Sequence, residues 1–402
     1  MTIRTVFVTG LSAVLLCGLA LGGGTRNQDR TMQGNNQFAF DLFEKFTAED
    51  FGENIFFSPL SISMALAMVY NGADGDTKAA MADALALEGI EIEQVNRAFK
   101  TIMTDLPADD PFVKMEIANS IWARDGISFD ANYLQQVEDF YQAELTTLDF
   151  GARSSVDRIN AWVSDKTHEK IDKIIAELSP DDVMILINAI YFKGTWGMQF
   201  DPGKTRDREF HLLDGSVINH PLMHLKRKIE YYQGEDFQAV SLPYGENKIS
   251  MYVLLPSEDV SYKNFLDSMT HENWDSWIGR LHKREGTIAL PKFTLEYEKT
   301  LNDILKALGM EVAFNPTMAD FSKMNGDPDQ GKIFISEVRH KTFVEVNEEG
   351  TEAAAVTSVR MKLASAMPEP PFEMIVDRPF VIAIRDNETG TLLFMGAIVN
   401  PA

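Results

Sequence analysis

The chain has 402 residues, 45% of them hydrophobic and 24% charged, which is the composition of a folded protein and not of a disordered one. Its 60 acidic and 37 basic residues leave a net charge of −23, which repels phosphate backbones and sets nucleic acid aside as a partner. The basic clusters Leu225–Lys228 and His282–Glu285 are local exceptions, read as solvated strand ends or turns ahead of a polyanion site.

The first 24 residues stand apart. Arg4 precedes an apolar run from Val6 to about Leu21 that closes in small residues, the layout of a secretory signal cleaved between Ala20 and Gly24. A membrane anchor is the alternative, but the run is short and interrupted by glycine, so no transmembrane segment is expected in the mature chain. Cys17 is the only cysteine, and Leu16 before it is larger than the small residue that lipid-attachment sites prefer. The mature chain then holds no disulfide and relies on core burial, in a secreted, periplasmic or extracellular setting. Residues 25–36 read as a short linker and 37–402 as one domain.

Phe38, Leu42, Phe43 and Phe46 recur at helical spacing, and Ser58-Pro59 opens a second helix that stops at Asn71-Gly72. Helical patterns follow at Lys78–Leu87, Val95–Leu106, Asn132–Ala143 and Ser155–Ile175. Asp182–Gly194 is apolar and β-branched with little alternation, as expected of a strand buried on both faces. Ala239–Pro256 reads as two strands around the turn Tyr244–Asn247. Thr287–Tyr297 reads as a strand and Thr300–Met310 as a helix ending at Gly309, while Lys332–Val346 and Phe372–Val399 are strand-rich. Helices dominate the first half and strands the second, without a repeat or a composition break, so a single α+β domain is predicted.

Catalytic chemistry finds no foothold. "HEKID", His168–Asp172, lacks the second histidine of a helical zinc site, and Pro221 keeps His220 and His224 off one helical face. The serine of "GLSAV" falls inside the leader and lacks the second glycine of a nucleophile elbow. "GADGDTK" lacks the Gly-Lys-Ser/Thr ending of a phosphate loop, and "DNETG" and "NGDPDQG" read as carboxylate-rich turns. Neither a cofactor nor a metal is called for.

Glu345–Pro371 is unlike an ordinary connection. From Thr351 at strand period, one face carries Thr351, Ala353, Ala355, Thr357, Val359, Met361 and Leu363, all uncharged, while Glu352, Arg360 and Lys362 fall on the other. Gly350 punctuates its start, and Pro368, Pro370 and Pro371 cannot continue a ladder beyond its end. Two readings stand side by side: a permanently inserted strand, and an exposed loop already patterned to become one.

The motifs "VNEEGTEAAAVTS", "MIVDRPFVIAI" and "LFMGAIVNP" resemble the reactive-centre hinge, the following signature and the C-terminal strand of the serpin family. "ENIFFSPLSISMALAMVYNGADGDT", "INAWVSDKTHEKI", "INAIYFKGTWGMQF" and "LPKFTLEY" fall in that family's order, so the likeness spans Gln37 to Pro401. The resemblance implies a serpin fold of three β-sheets and eight or nine helices, with an exposed reactive-centre loop at about 348–371. It also implies a monomeric inhibitor that a serine protease attacks as a suicide substrate. The freed hinge then inserts into the large sheet and traps the covalent acyl-enzyme.

Residue by residue, Glu348, Gly350, Thr351, Glu352, Ala353, Ala354 and Ala355 match the hinge, and none that must enter the sheet is large or charged. Lys292 matches the lysine that pairs with Glu348, and Trp196 the tryptophan beneath the point where the loop enters. Ser58, Ser61, Asn188 and His340 match the polar group where strands must part. Fourteen residues past Gly350, the family's usual spacing, the bait bond is Ala364–Ser365, suited to elastase-like or subtilisin-like proteases. Leu363 is the alternative for chymotrypsin-like enzymes, whereas Lys362 and Arg360 lie too early for trypsin-like ones. A non-inhibitory binding or storage protein on the same fold is the rival reading. Polyanion activation is not favoured, because Val95–Leu106 carries only Arg97 and Lys100 as cations.

Overall fold

The computed structural model describes residues 21–106, 110–327, 329–351 and 370–402. The helices are α1 (Leu21–Glu49), α2 (Pro59–Tyr70), α3 (Gly75–Ala84), α4 (Ile92–Asp105), α5 (Ala131–Tyr141), α6 (Arg153–Lys166), α7 (Tyr262–Asp267), α8 (His271–Ile278) and α9 (Asn302–Leu305). Five strands fall in the first half or just beyond it: β1 (Ile55–Phe57), β2 (Val113–Arg124), β3 (Glu144–Leu148), β4 (Met184–Thr195) and β5 (Arg206–His211). Next come β6 (Val217–Gln233), β7 (Phe237–Pro243), β8 (Ile249–Pro256), β9 (His282–Pro291) and β10 (Phe293–Thr300). The last are β11 (Glu337–Val346), β12 (Gly350–Thr351), β13 (Phe372–Ile375), β14 (Phe380–Asp386) and β15 (Leu392–Ile398).

A six-stranded sheet runs β10-β11-β4-β2-β3, with β12 against the end of β4. A nine-stranded network runs β1-β15-β14-β8-β7-β6-β9-β13, with β5 on β6. The long β6 divides that network: most of its length pairs with β5 and β9, and its last residues, Glu230–Gln233, turn to β7. The architecture is therefore three sheets, two of them sharing β6, as expected of this α+β fold.

Packing explains the local sequence. Ser58 caps α2, its Oγ accepting from Ser61 N at 3.2 Å, and every α2 residue is buried, as befits a helix apolar all round. One face of the six-stranded sheet closes on the large core with α1 and α2. The other carries Trp122, Ile185 and Ile187 under Ile159 and Val163 of α6. Strand β4 is thus sandwiched, which is why it shows no period-two alternation.

Four expectations are corrected. Residues 25–36, read as a short linker, lie within α1. Asn36 Nδ2 donates to Gly390 O at 2.9 Å and its Oδ1 accepts from Leu392 N at 2.9 Å, so these amides are buried against β15. The helix read over Ser155–Ile175 ends at Lys166. His168 and Glu169 take φ of 51° and 61°, and Asn160 Oδ1 receives the Ile174 and Ile175 amides at 2.9 and 3.1 Å. Ile171, Ile174 and Ile175 kept the apolar period because they pack back beneath α6. Thr287–Tyr297 is two strands in different sheets, β9 and β10, with only Lys292 between them. Finally, strand pairing after Lys332 begins only at Glu337, although Ile333 and Ile335 are buried.

Phe394 on β15 is fully buried, stacked on Phe56 with centroids 5.1 Å apart and edge-on to Phe192 at 5.6 Å. Phe394→Ala is expected to cost about 3–5 kcal/mol, read as a lower denaturant midpoint at unchanged m value.

Candidate functional site

Strands β4 and β11 run parallel and pair from Glu337↔Ile185 to Thr342↔Ile190, then stop. The outer partner of β11 holds on longer: β10 pairs antiparallel from Thr300↔Arg339 to Phe293↔Val346. Lys341 adds to that side, its Nζ meeting Glu298 Oε2 at 3.1 Å and also pairing with Glu296. The sheet therefore has a notch between the ends of β4 and β11, and the weaker margin of β11 faces β4.

The chain turns into this notch after β11. Trp196, which leaves β4, donates Nε1–H to Asn347 O and its backbone N–H to Glu349 O, each at 2.9 Å. Its indole stacks on Tyr244 with centroids 4.4 Å apart, which fixes the ring under the turn. Phe200 N–H donates to Glu348 O at 3.0 Å. Glu348 reaches back to the corner between β9 and β10: Lys292 Nζ lies 2.8 Å from its Oε2, and Thr205 Oγ1 donates to Oε1 at 2.6 Å. Burial opposes the charge of this carboxyl, but the Lys292 and Thr205 contacts overcome it and hold Glu348 below the usual carboxylate range.

Gly350 has φ of 131°, and a Cβ there would overlap the Gly194 carbonyl and the Trp196 amide. That position admits glycine alone. Past it the backbone runs antiparallel to β4, Gly350 opposite Thr195 and Thr351 opposite Gly194.

A second polar group crosses the sheet within the paired stretch. His340 is the register partner of Asn188, and Asn188 that of Asn119, so one row spans β11, β4 and β2. Beneath it lies the start of α2. Ser58 N–H donates to His340 Nε2 at 3.1 Å, and Asn188 Nδ2 donates to Ser61 O at 3.0 Å and to Asn119 Oδ1 at 2.5 Å. Because Nε2 accepts, the imidazole proton sits on Nδ1 and is donated to Asn188 Oδ1 at 2.5 Å. Thr342 Oγ1 donates to Phe56 O at 2.5 Å, extending the group along β11.

The serpin (serine protease inhibitor) family matches residues 33–401. The chain belongs to the serpin family. It is 35% identical to an uncharacterized serpin-like protein of Thermococcus kodakarensis, over 91% of this chain and 84% of that one. It is also 35% identical to the leukocyte elastase inhibitor of Equus caballus, over 91% and 98%. Among solved structures, the thermophilic serpin tengpin in its native state superposes with TM-score 0.84 at 36% identity, covering 92% and 94%. Human thyroxine-binding globulin complexed with thyroxine gives 0.84 at 28%, covering 94% and 100%.

Two clusters thus bring together the predicted serpin residues: Glu348, Gly350, Trp196 and Lys292 at the notch, and Asn188 and His340 in the row with Ser58 and Ser61 beneath it. Asn119, Thr342, Thr205 and Asn347 escaped the sequence reading. Only the strand register sets Asn119 opposite Asn188, and only folding carries Thr205 to Glu348. Glu352, Ala353, Ala354, Ala355, Leu363, Ala364 and Ser365 lie outside the described residues, as does Cys17. His220 and His224 sit on β6 within a sheet, His220 against the Lys292 carbonyl.

Burial pushes the His340 imidazole down from 6.5 to about 3, since a cation would be desolvated with Ser58 N–H facing it. Its folded value lies below its unfolded one, so the unfolded chain takes up a proton first. Stability is full above about pH 6.5 and falls as pH drops toward 3, by roughly 1.4 kcal/mol per pH unit from this group. His340→Gln is expected to remove that component, read by denaturant unfolding at pH values between 4 and 7; an unchanged acid slope would contradict it.

Proposed function

We propose that this chain is a suicide-substrate inhibitor of a serine protease, trapping the enzyme by inserting its cleaved loop between β4 and β11. One observation carries the reading: β11 is paired with β4 along only part of its length, and the chain leading into the loop is already in antiparallel register with β4 at Gly350–Thr351. Since β11 runs parallel to β4, a strand continuing from Thr351 is antiparallel to both. Insertion then exchanges one parallel interface for two antiparallel ones, the pairing that is stronger per residue. Each added backbone hydrogen bond is worth roughly 0.5–1.5 kcal/mol. The inserting face derived from the sequence, Thr351, Ala353 and Ala355 onward, suits the buried side of that slot. Ala364–Ser365 is the proposed bait bond and an elastase-like or subtilisin-like enzyme the target, with Leu363 serving chymotrypsin-like enzymes if the register is one earlier. Export as a monomer, directed by residues 1–24, belongs to the same proposal; no helix among the described residues is long and apolar enough to cross a membrane.

A binding protein that keeps the fold without inhibition is the second reading, favoured by the likeness to thyroxine-binding globulin. Mixing the mature chain with elastase-like, subtilisin-like, chymotrypsin-like and trypsin-like proteases separates the two. Inhibition gives a covalent complex that survives denaturing electrophoresis, and a released peptide beginning at Ser365. Cleavage with full protease activity remaining sinks the inhibitor reading. Thr351→Arg should convert the inhibitor into a substrate, with complex yield falling at least ten-fold while cleavage continues; equal complex yield would contradict insertion.

A further inference from the structure

The last residue of β4 is gripped by two segments from outside the strand. Thr195 N–H donates to Phe112 O at 2.9 Å, just ahead of β2, and Thr195 O accepts from Gly245 N–H at 2.8 Å, in the turn between β7 and β8. Two residues on, Gly197 N–H donates to Pro243 O at 2.8 Å, and Tyr244 of the same turn is the ring on which Trp196 stacks. Thr195 is also the residue that Gly350 meets in register, so this peptide is where the entering chain first touches β4.

Both segments are tied to one side chain. Asp110 is 6% exposed; its Oδ1 accepts from Phe112 N–H at 2.9 Å and its Oδ2 from Glu246 N–H at 2.8 Å. Local sequence explains the first bond. Pro111 has no N–H and disfavours helical backbone at Asp110, so the carboxylate turns to the next free amide, two residues on. The second bond joins residues 136 positions apart. At Gly245, where φ is 42°, a Cβ would overlap the Asp110 carboxylate, so turn and side chain are fitted to each other.

No cation pairs with Asp110 among the described residues, so backbone amides alone meet the desolvated carboxylate. What they deliver is a geometry. From Asp110 through Phe112, Thr195, Gly245 and Glu246 the hydrogen bonds form a closed ring, and Thr195 sits opposite Asp110 in it. Without the ring, Thr195 would be a fraying strand end, since β11 pairs with β4 only as far as Ile190.

We propose that Asp110 is a positioning residue for loop insertion: by closing this ring it keeps Thr195 ordered as the edge on which the entering chain lands, and so sets how many cleaved chains trap the protease instead of releasing it. This rests on the inhibitor reading. Insertion competes with hydrolysis of the acyl-enzyme, and its first step extends the register Gly350↔Thr195 and Thr351↔Gly194. A loose end would have to be ordered before the hinge could pair, and a preformed edge removes that delay. Loss of the ring has a signature of its own. General weakening of the native sheet lowers the barrier to parting β4 from β11 and favours trapping, whereas loosening Thr195 slows entry and favours release.

The test compares the mature chain with Asp110→Ala and with Asp110→Asn, which keeps the shape but serves one amide only, because its NH2 donates. Hydrogen-exchange mass spectrometry reads the ring without any protease. Exchange in peptides covering Thr195–Gly197 and Gly245–Asn247 should rise at least ten-fold in Asp110→Ala and by less in Asp110→Asn, with β14 and β15 unchanged. Wild-type protection in both variants, or a rise shared equally by β14 and β15, would overturn the positioning role. Against a protease that the wild-type chain traps, the number of inhibitor molecules consumed per enzyme should rise at least three-fold in Asp110→Ala, with loop cleavage at its wild-type rate. An equal or lower number would overturn the link to trapping and leave the inhibitor reading intact. A wild-type chain that traps none of the four protease classes would sink that reading and the trapping role together, a result distinct from loss of the exchange signature.

Discussion

The arrangement depends on the parallel pairing of β4 with β11, from Glu337↔Ile185 to Thr342↔Ile190. It joins strands distant in the chain, leaves the last residues of β11 unmatched on that side, and is the weaker of β11's two margins. The other margin has the longer antiparallel register with β10, reinforced by Lys341 on Glu296 and Glu298. The β4 side is therefore the margin of β11 that takes less to open. A seam able to accept another strand must be strong enough to hold the native sheet and weak enough to be replaced, and partial parallel pairing meets both conditions.

Two unlike devices keep that seam closed. The row through His340, Asn188 and Asn119 is a buried, neutral hydrogen-bond chain anchored on the start of α2, so parting the strands leaves several donors and acceptors unmade at once. The turn at Glu348 is instead an ion pair near the surface, backed by backbone contacts to Trp196 and Phe200. The first resists sliding or separation of the strands. The second fixes where the inserting segment would begin, since Gly350 alone fits beside Gly194 and Trp196. α2 is the fixed point for the first device, because a wholly buried helix has no freedom to follow either strand.

Much of this was legible in the sequence. The unbroken apolar run of β4 and the Ser58-Pro59 helix start are local patterns with local causes. The helical residues 25–36 read as a linker, the overlong helix after Arg153 and the joined strands at Lys292 share a different cause. In the first two, the residues satisfy partners that a local pattern does not show: Asn36 serves the β14–β15 turn, and Ile171 to Ile175 fold back on their own helix. Of the two polar clusters, a motif located most members, but Asn119 and Thr205 enter only through strand register and chain return. Periodicity reports which face is buried and is silent about what lies opposite.

The corner at Lys292 carries a further consequence for how such a chain can change over generations. β9 and β10 lie in different sheets with one residue between them, and β10 alternates inward Phe293, Leu295 and Tyr297 with outward Thr294, Glu296 and Glu298. Inserting or deleting one residue at that corner would turn every β10 side chain over, driving carboxylates into the core and exposing an aromatic face. It would also carry the lysine that grips Glu348 out of reach. At this corner a change in the number of residues is therefore costlier than most replacements.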